Sequence, residues 1–242
     1  YRSLGLPFRD DQILVTTGGS EAIMFALFAA TDPGDEVIIF EPFYPNYATF
    51  AQLAGIRLRS ITLWPERKYQ LPSLAELTRA IGPRTRAFLV CNPDNPTGVV
   101  RSPVEIRMLL EIARRKNIFL LADETYREMI FPPARSLSFA APRATRDRVI
   151  LVDSASKRFN VCGARIGCIA STNAGIMESA LKFAQSRLSS PTLDQVGVTP
   201  LLEHSTKLVR PLVREYRRRT AVVVKCLRAI PGVTFVEPHG SF

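Results

Sequence analysis

The sequence is poor in the residues from which metal centres and membrane spans are built. Among 242 residues there are four cysteines and two histidines. Cys91, Cys162, Cys168 and Cys226 form no C-x-x-C pair and have no histidine at zinc-ligand spacing, so no metal site is expected and the thiols read as reduced and unpaired. His204 and His239 stand apart from any carboxylate or cysteine pattern and are assigned no catalytic role. No stretch reaches the roughly 18 uninterrupted apolar residues of a membrane span, because the run through Ala26 and Ala30 stops at Thr31-Asp32-Pro33-Gly34. The chain has no initiator methionine and no basic segment followed by an apolar one, and it ends in the turn-like Pro238-His239-Gly240-Ser241-Phe242. It reads as a cytoplasmic fragment with no membrane partner.

What is present is ordinary globular material: 46% hydrophobic and 22% charged residues, enough to bury a core and too apolar for disorder. The net charge of +10 is spread along the chain. Arg214, Arg217, Arg218 and Arg219 are the densest basic group. They lack aromatic interleaving and a binding motif, so they read as a solvated helix face, and no nucleic-acid partner is expected.

Short apolar runs alternate with amphipathic stretches. Strands are predicted over 36–40, 58–63, 86–91, 118–122, 149–152 and 166–170, and helices over 47–55, 73–81 with Ser73 as N-cap, and 104–116. This alternation predicts an α/β fold, a mainly parallel sheet sandwiched by helices. A long helix over 206–228 and a strand over 233–236 suggest the start of a smaller α+β domain. The expected division is therefore 1–205 for the large domain and 206–242 for the truncated second one. Ligands in such sheets bind beyond the carboxyl ends of the strands, which directs attention to the polar residues there.

Four clusters occupy such places. In Thr17-Gly18-Gly19-Ser20, two glycines and Ser20 as N-cap open an apolar helix, giving an anion site of the kind phosphate prefers, although a plain capped glycine turn has the same composition. Asn92-Pro93-Asp94-Asn95-Pro96-Thr97-Gly98 is either a rigid arm presenting Asn95 to a ligand oxygen or a structural turn. Asp123, after a very apolar run, is either paired with a cation or an N-cap, with Tyr126 three residues on. Last comes Ser154-Ala155-Ser156-Lys157, followed by Gly163-Ala164-Arg165-Ile166-Gly167. Here Lys157 is a candidate amine nucleophile and Arg165 a phosphate fork that flanking glycines leave approachable; a lone lysine is otherwise a surface residue.

In this order, Gly-Gly-Ser, Asn-Pro-x-Asn-Pro-Thr-Gly, Asp-x-x-Tyr, Ser-x-Ser-Lys and an arginine eight residues after the lysine, the motifs resemble those of the class I/II aminotransferases. These are pyridoxal-phosphate enzymes of the aspartate aminotransferase fold. The likeness runs from about Ile13 to the Pro-x-Gly-Ser-Phe end, and Glu41-Pro42-Phe43-Tyr44-Pro45 and Ser156-Lys157-Arg158-Phe159 are most similar to bacterial enzymes assigned to aspartate. The resemblance implies that Lys157 forms a Schiff base with pyridoxal 5'-phosphate and later moves the substrate proton, and that Asp123 pairs with the pyridinium nitrogen. It implies that Asn95 and Tyr126 bond the ring oxygen and that Tyr44, otherwise a core tyrosine, stacks on the ring. Gly18, Gly19, Ser20, Ser154, Ser156 and Arg165 would hold the phosphate.

It further implies a homodimer, amino-acid and 2-oxo-acid substrates exchanged by a ping-pong reaction, and a carboxylate-binding arginine outside this chain. Two other readings share the fold: a β-lyase or synthase using the same residues, and the cofactor-binding sensor domain of a transcription regulator.

Overall fold

The computed structural model describes residues 1–6 and 8–240. Strand β1 (Ile13–Thr17) runs directly into helix α1 (Gly18–Ala30). Three β/α units follow: β2 (Glu36–Glu41) with α2 (Asn46–Leu53), β3 (Arg57–Thr62) with α3 (Leu74–Ala80), and β4 (Thr85–Cys91) with α4 (Pro103–Lys116). Then come β5 (Phe119–Asp123), β6 (Val149–Ser154), the one-turn α5 (Ala155–Arg158) and β7 (Ile166–Ala170). Helices α6 (Ala174–Ser186), α7 (Thr192–Glu203) and α8 (Ser205–Arg228) complete the order.

The strands form one seven-stranded sheet, ordered β1-β7-β6-β5-β4-β2-β3. The pairs from β3 to β6 are parallel, and β6 is buried at every position, as expected of a strand covered on both faces. One apolar cluster lies on each face. Phe88, Leu109 and Leu120 belong to one, and Leu27, Ile39 and Leu121 to the other. Helix α4 shows how the sequence builds this: Ile106, Leu109, Leu110 and Ala113 recur at helical spacing and point inward. Ser102 and Glu105 close a reciprocal capping box at its start, while Asn117 in the left-handed region ends it.

Strand β7 runs antiparallel to both β6 and β1. The reversal brings its beginning to the edge of the sheet where β1, β4, β5 and β6 end: Ile166 lies opposite Thr17 and Gly167 opposite Ser154. All four sequence clusters therefore meet at one edge.

Two expectations fail. Residues 233–236 are not a strand; the described chain offers them no neighbouring ladder, and the only contact of that kind nearby is an isolated bridge between Ile130 and Gly240. Ser20 is not the N-cap of α1, which starts two residues earlier with Thr17 in the cap position. Ser241 and Phe242, the end of the recognised motif series, lie outside the described residues. Among the described residues no helix is long and apolar enough to cross a membrane.

Candidate active site

The carboxyl edge of the sheet encloses a cavity of about 400 Å³. Asp123, the last residue of β5, points into it while only 8% exposed. Its Oδ2 accepts a hydrogen bond from the Tyr47 hydroxyl at 2.7 Å and its Oδ1 one from the Thr125 amide at 3.0 Å. The second bond closes an Asx turn, so the alternative of Asp123 as a helix N-cap is replaced by a turn with no helix behind it. Burial pushes the Asp123 carboxyl up, and the Thr125 and Tyr47 bonds work against that rise. Neighbouring guanidiniums do not neutralise it: Arg127 and Arg158 both pair with Asp153, at 2.7 and 2.8 Å.

The opposite end of the cavity favours an anion. Gly18 opens α1 with φ +75°, and a Cβ there would stand 2.2 Å from Arg165 Nη2. Glycine is thus required both by the backbone and by the guanidinium lying over it. Arg165, itself left-handed at φ 51°, is held by the Cys162 carbonyl at 2.9 Å and that of Thr17 at 3.5 Å, leaving its charge without a carboxylate partner in these bonds. Ser154 Oγ accepts from the Ser156 amide at 3.1 Å, which caps α5, and lies 2.9 Å from Ser156 Oγ. The glycines flanking Arg165 do not serve as expected. Gly163 faces open space, whereas a Cβ on Gly167 would come within 2.5 Å of Gly18 C and 2.8 Å of Asp153 O. Gly167 therefore lets β7 pass the start of α1 and does not open a path to Arg165.

Lys157 sits on α5, exposed, with Nζ 3.9 Å from Cys162 Sγ. Ten of the eleven predicted residues line the cavity: Gly19 and Ser20 from α1, Tyr44, Asn95, Asp123 and Tyr126 from the loops and strand end, and Ser154, Ser156, Lys157 and Arg165 from the β6–β7 segment. Gly18, the eleventh, lies under Arg165. Tyr44 meets Tyr47 edge-on, with ring centroids 5.4 Å apart, and receives a bond from Asn46 Nδ2 at 2.7 Å. Burial foremost, with Cys91 and Asp123 adding, raises the Tyr126 hydroxyl above the ordinary phenol range.

Sequence reasoning missed Tyr47, Thr125, Cys91 and Cys162, which also line the cavity. Tyr47 had a signal only in its nearness to Tyr44, which lies three residues earlier in the loop that leads into α2.

The profile of the family described as "Aminotransferase class I and II" matches residues 2–242. The chain belongs to this family. As a class I and II aminotransferase chain it is 32% identical over 244 residues to a probable aspartate/prephenate aminotransferase of Thermus aquaticus, covering 100% of this chain and 62% of the relative. It is 37% identical over 158 residues to a probable N-succinyldiaminopimelate aminotransferase of Mycobacterium tuberculosis, covering 65% of this chain and 40% of that one. The aspartate aminotransferase of Thermus thermophilus, solved with maleate, superposes with a TM-score of 0.90 at 31% identity, over 100% of this chain and 63% of the other. This aminotransferase chain thus spans about three-fifths of the length of relatives it matches from end to end.

Proposed function

We propose that the protein is a pyridoxal-phosphate-dependent aminotransferase in which Lys157 carries the catalytic amine. The supporting observation is that one cavity in a chain of this family gathers an exposed lysine, a buried carboxylate that has no ion pair among the described residues and an arginine laid over a helix start.

The donor set fits pyridoxal phosphate at both ends. Arg165, the start of α1 and the Ser154 and Ser156 hydroxyls suit a phosphate dianion, and Asp123 suits a protonated ring nitrogen. Tyr44 would cover the ring face, while Asn95 and Tyr126 would bond the ring oxygen. When bound, the cofactor supplies an electron-withdrawing ring that stabilises negative charge at the substrate Cα. Lys157 would anchor the cofactor through its amine and, once released, take the proton from Cα as a general base. Asp123 would remain ionised beside the ring nitrogen, helped by the Tyr47 and Thr125 bonds that oppose its burial.

The proposed substrates are an L-amino acid, aspartate first, and a 2-oxo acid, alternating in a ping-pong cycle. Helix α8 would lead from the large domain, 1–205, into a second domain beginning at 206, and the enzyme would act in the cytoplasm as a homodimer.

The test is the visible absorption of the protein with pyridoxal phosphate, beside Lys157→Ala. The expected result is a band that needs Lys157 and is bleached by aspartate, then restored by a 2-oxo acid. A band unchanged in Lys157→Ala overturns the lysine assignment. Release of ammonia in place of transfer to the oxo acid overturns the aminotransferase reading in favour of a lyase.

A further inference from the structure

Two thiols line the cavity without a part in the proposed reaction, and of these Cys162 is the exposed one. Cys162 follows Lys157 by five residues across the turn after α5, and its Sγ lies 3.9 Å from Lys157 Nζ and 3.5 Å from the Ser156 carbonyl. The residue is exposed, and Gly163 beside it has open space where a side chain would stand, so a small solute can reach the sulfur. Lys157 is free to move toward it, because the ion pairs of this region run through its neighbour Arg158 to Asp153 and Glu128.

The other thiols lack this arrangement. Cys91 is buried against the Pro93 carbonyl and burial pushes its thiol far up; Cys168 is likewise pushed up, to about 11. Cys226 is exposed on α8, and the adjacent Lys225 diverges from it as consecutive helical residues do.

We infer that Cys162 and Lys157 are a peroxide-sensitive pair that closes into a sulfenamide and withdraws the lysine amine. A hydroperoxide gives up one oxygen to the sulfur: its O–O bond breaks, the thiol loses two electrons to become a sulfenic acid, and water leaves. The lone pair of the neutral lysine amine then attacks that sulfur. The S–N bond forms, the S–O bond breaks, and the hydroxyl departs with one amine proton as a second water. The protein is two hydrogen atoms lighter, and a thiol reductant restores both groups. The contact distance must close to a covalent bond, which the flexible stem of an exposed lysine permits. The chemistry stands on this geometry alone; its consequence for activity rests on the proposed role of Lys157. With the amine engaged by pyridoxal phosphate, only the cofactor-free protein would lock.

The experiment is peptide mass spectrometry of the protein treated with hydrogen peroxide, with and without prior pyridoxal phosphate. Arg158 lies between the two residues, so trypsin separates them unless they are bridged. The expected product is a bridged pair two hydrogens lighter, reversed by dithiothreitol, absent from Cys162→Ser and from Lys157→Arg, and accompanied by loss of the cofactor absorption band. Cys162 passing to sulfinic or sulfonic acid without a bridge overturns the inference, an outcome the wild-type peptide decides without any variant, and so does a bridge that persists in Lys157→Arg. A bridge that pyridoxal phosphate fails to block sustains the pair but contradicts Lys157 as the cofactor amine. A Lys157-dependent absorption band with no bridge sustains the enzyme reading and removes the pair.

Discussion

Tyr47 and Asp123, 76 residues apart in the chain, meet at the carboxyl edge of the sheet, where the phenol donates to Oδ2 at 2.7 Å. The bond opposes the rise that burial imposes on the Asp123 carboxyl. In Tyr47→Phe that opposition is lost, the carboxyl titrates higher, and less of it is ionised at mildly acidic pH. A hydrogen bond to a charged group contributes about 1.5 kcal/mol, so pyridoxal phosphate should bind about tenfold more weakly at pH 6 and less affected at pH 8. Absorbance titration at the two pH values checks this. Equal weakening at both would mean that Tyr47 acts through packing and not through Asp123.

The two glycines at the anion end should fail in different ways. Gly18→Ala meets the mobile end of Arg165 and a left-handed backbone, costing about 1–2 kcal/mol of stability but displacing the guanidinium. Gly167→Ala meets two backbone segments, the Gly18–Gly19 peptide and the Asp153 carbonyl, which cannot give way, and should cost about 3 kcal/mol or more. Urea unfolding should rank Gly167→Ala as the less stable, while pyridoxal phosphate affinity in Gly18→Ala should fall further than its stability does.

Glu124 provides a pH signature. Burial raises its carboxyl from 4.5 to about 7, although Ser138 Oγ and the Phe139 amide donate to Oε1 at 2.9 and 2.8 Å. A carboxyl with a higher pKa folded than unfolded stabilises the protein below about pH 4.5 and loses that contribution as pH rises through about 7. Glu124→Gln removes the titration. Its stability relative to the wild type should therefore improve from pH 5 to pH 8, by an amount on the order of 3 kcal/mol at the upper end. Parallel unfolding curves across that range would refute the assignment.

Arg158 joins Asp153 and Glu128, at 2.8 and 2.9 Å, behind the lysine turn. Although burial pushes the Asp153 carboxyl up, Arg127 and Arg158 outweigh it and hold the group below the ordinary range. Arg158→Met should cost about 3 kcal/mol near neutrality, because Glu128 is left without its guanidinium and Asp153 with only one. A depressed carboxyl contributes stability above its unfolded pKa, near 3.8, and loses it as pH falls through the folded value. The difference between variant and wild type should hold down to about pH 4 and shrink only below it, which guanidinium chloride unfolding at pH 7, pH 4 and about pH 2.5 would show.

Sheet and site were readable where local sequence decides structure. Buried strands are continuous apolar runs, and the residues after them are polar for a reason, so Asp123, Lys157 and the glycine turn stood out. Tyr47 did not, since its bond to Asp123 depends on α2 folding across the strand end. Arg127 and Arg158 are ordinary surface types in sequence, and their burial follows from the shared partner Asp153, with Glu128 beside Arg158 and the Tyr1 ring under Arg127. Residues 233–236 have the composition of a strand, but strand formation needs a partner that composition does not report. Ser20 follows two glycines as a cap would, yet Gly18 already takes up the helix and leaves Ser20 inside its first turn.

The reversed strand β7 makes the anion cradle a long-range closure. Thr17 and Arg165 are separated by 148 residues, so this end of the cavity is assembled from opposite ends of the sheet-forming sequence. The entropy of closing so long a loop is met by the whole β1–β7 seam and not by any local turn. A phosphate held there would act as a clasp on that loop, and its binding energy would enter the stability of the entire sheet.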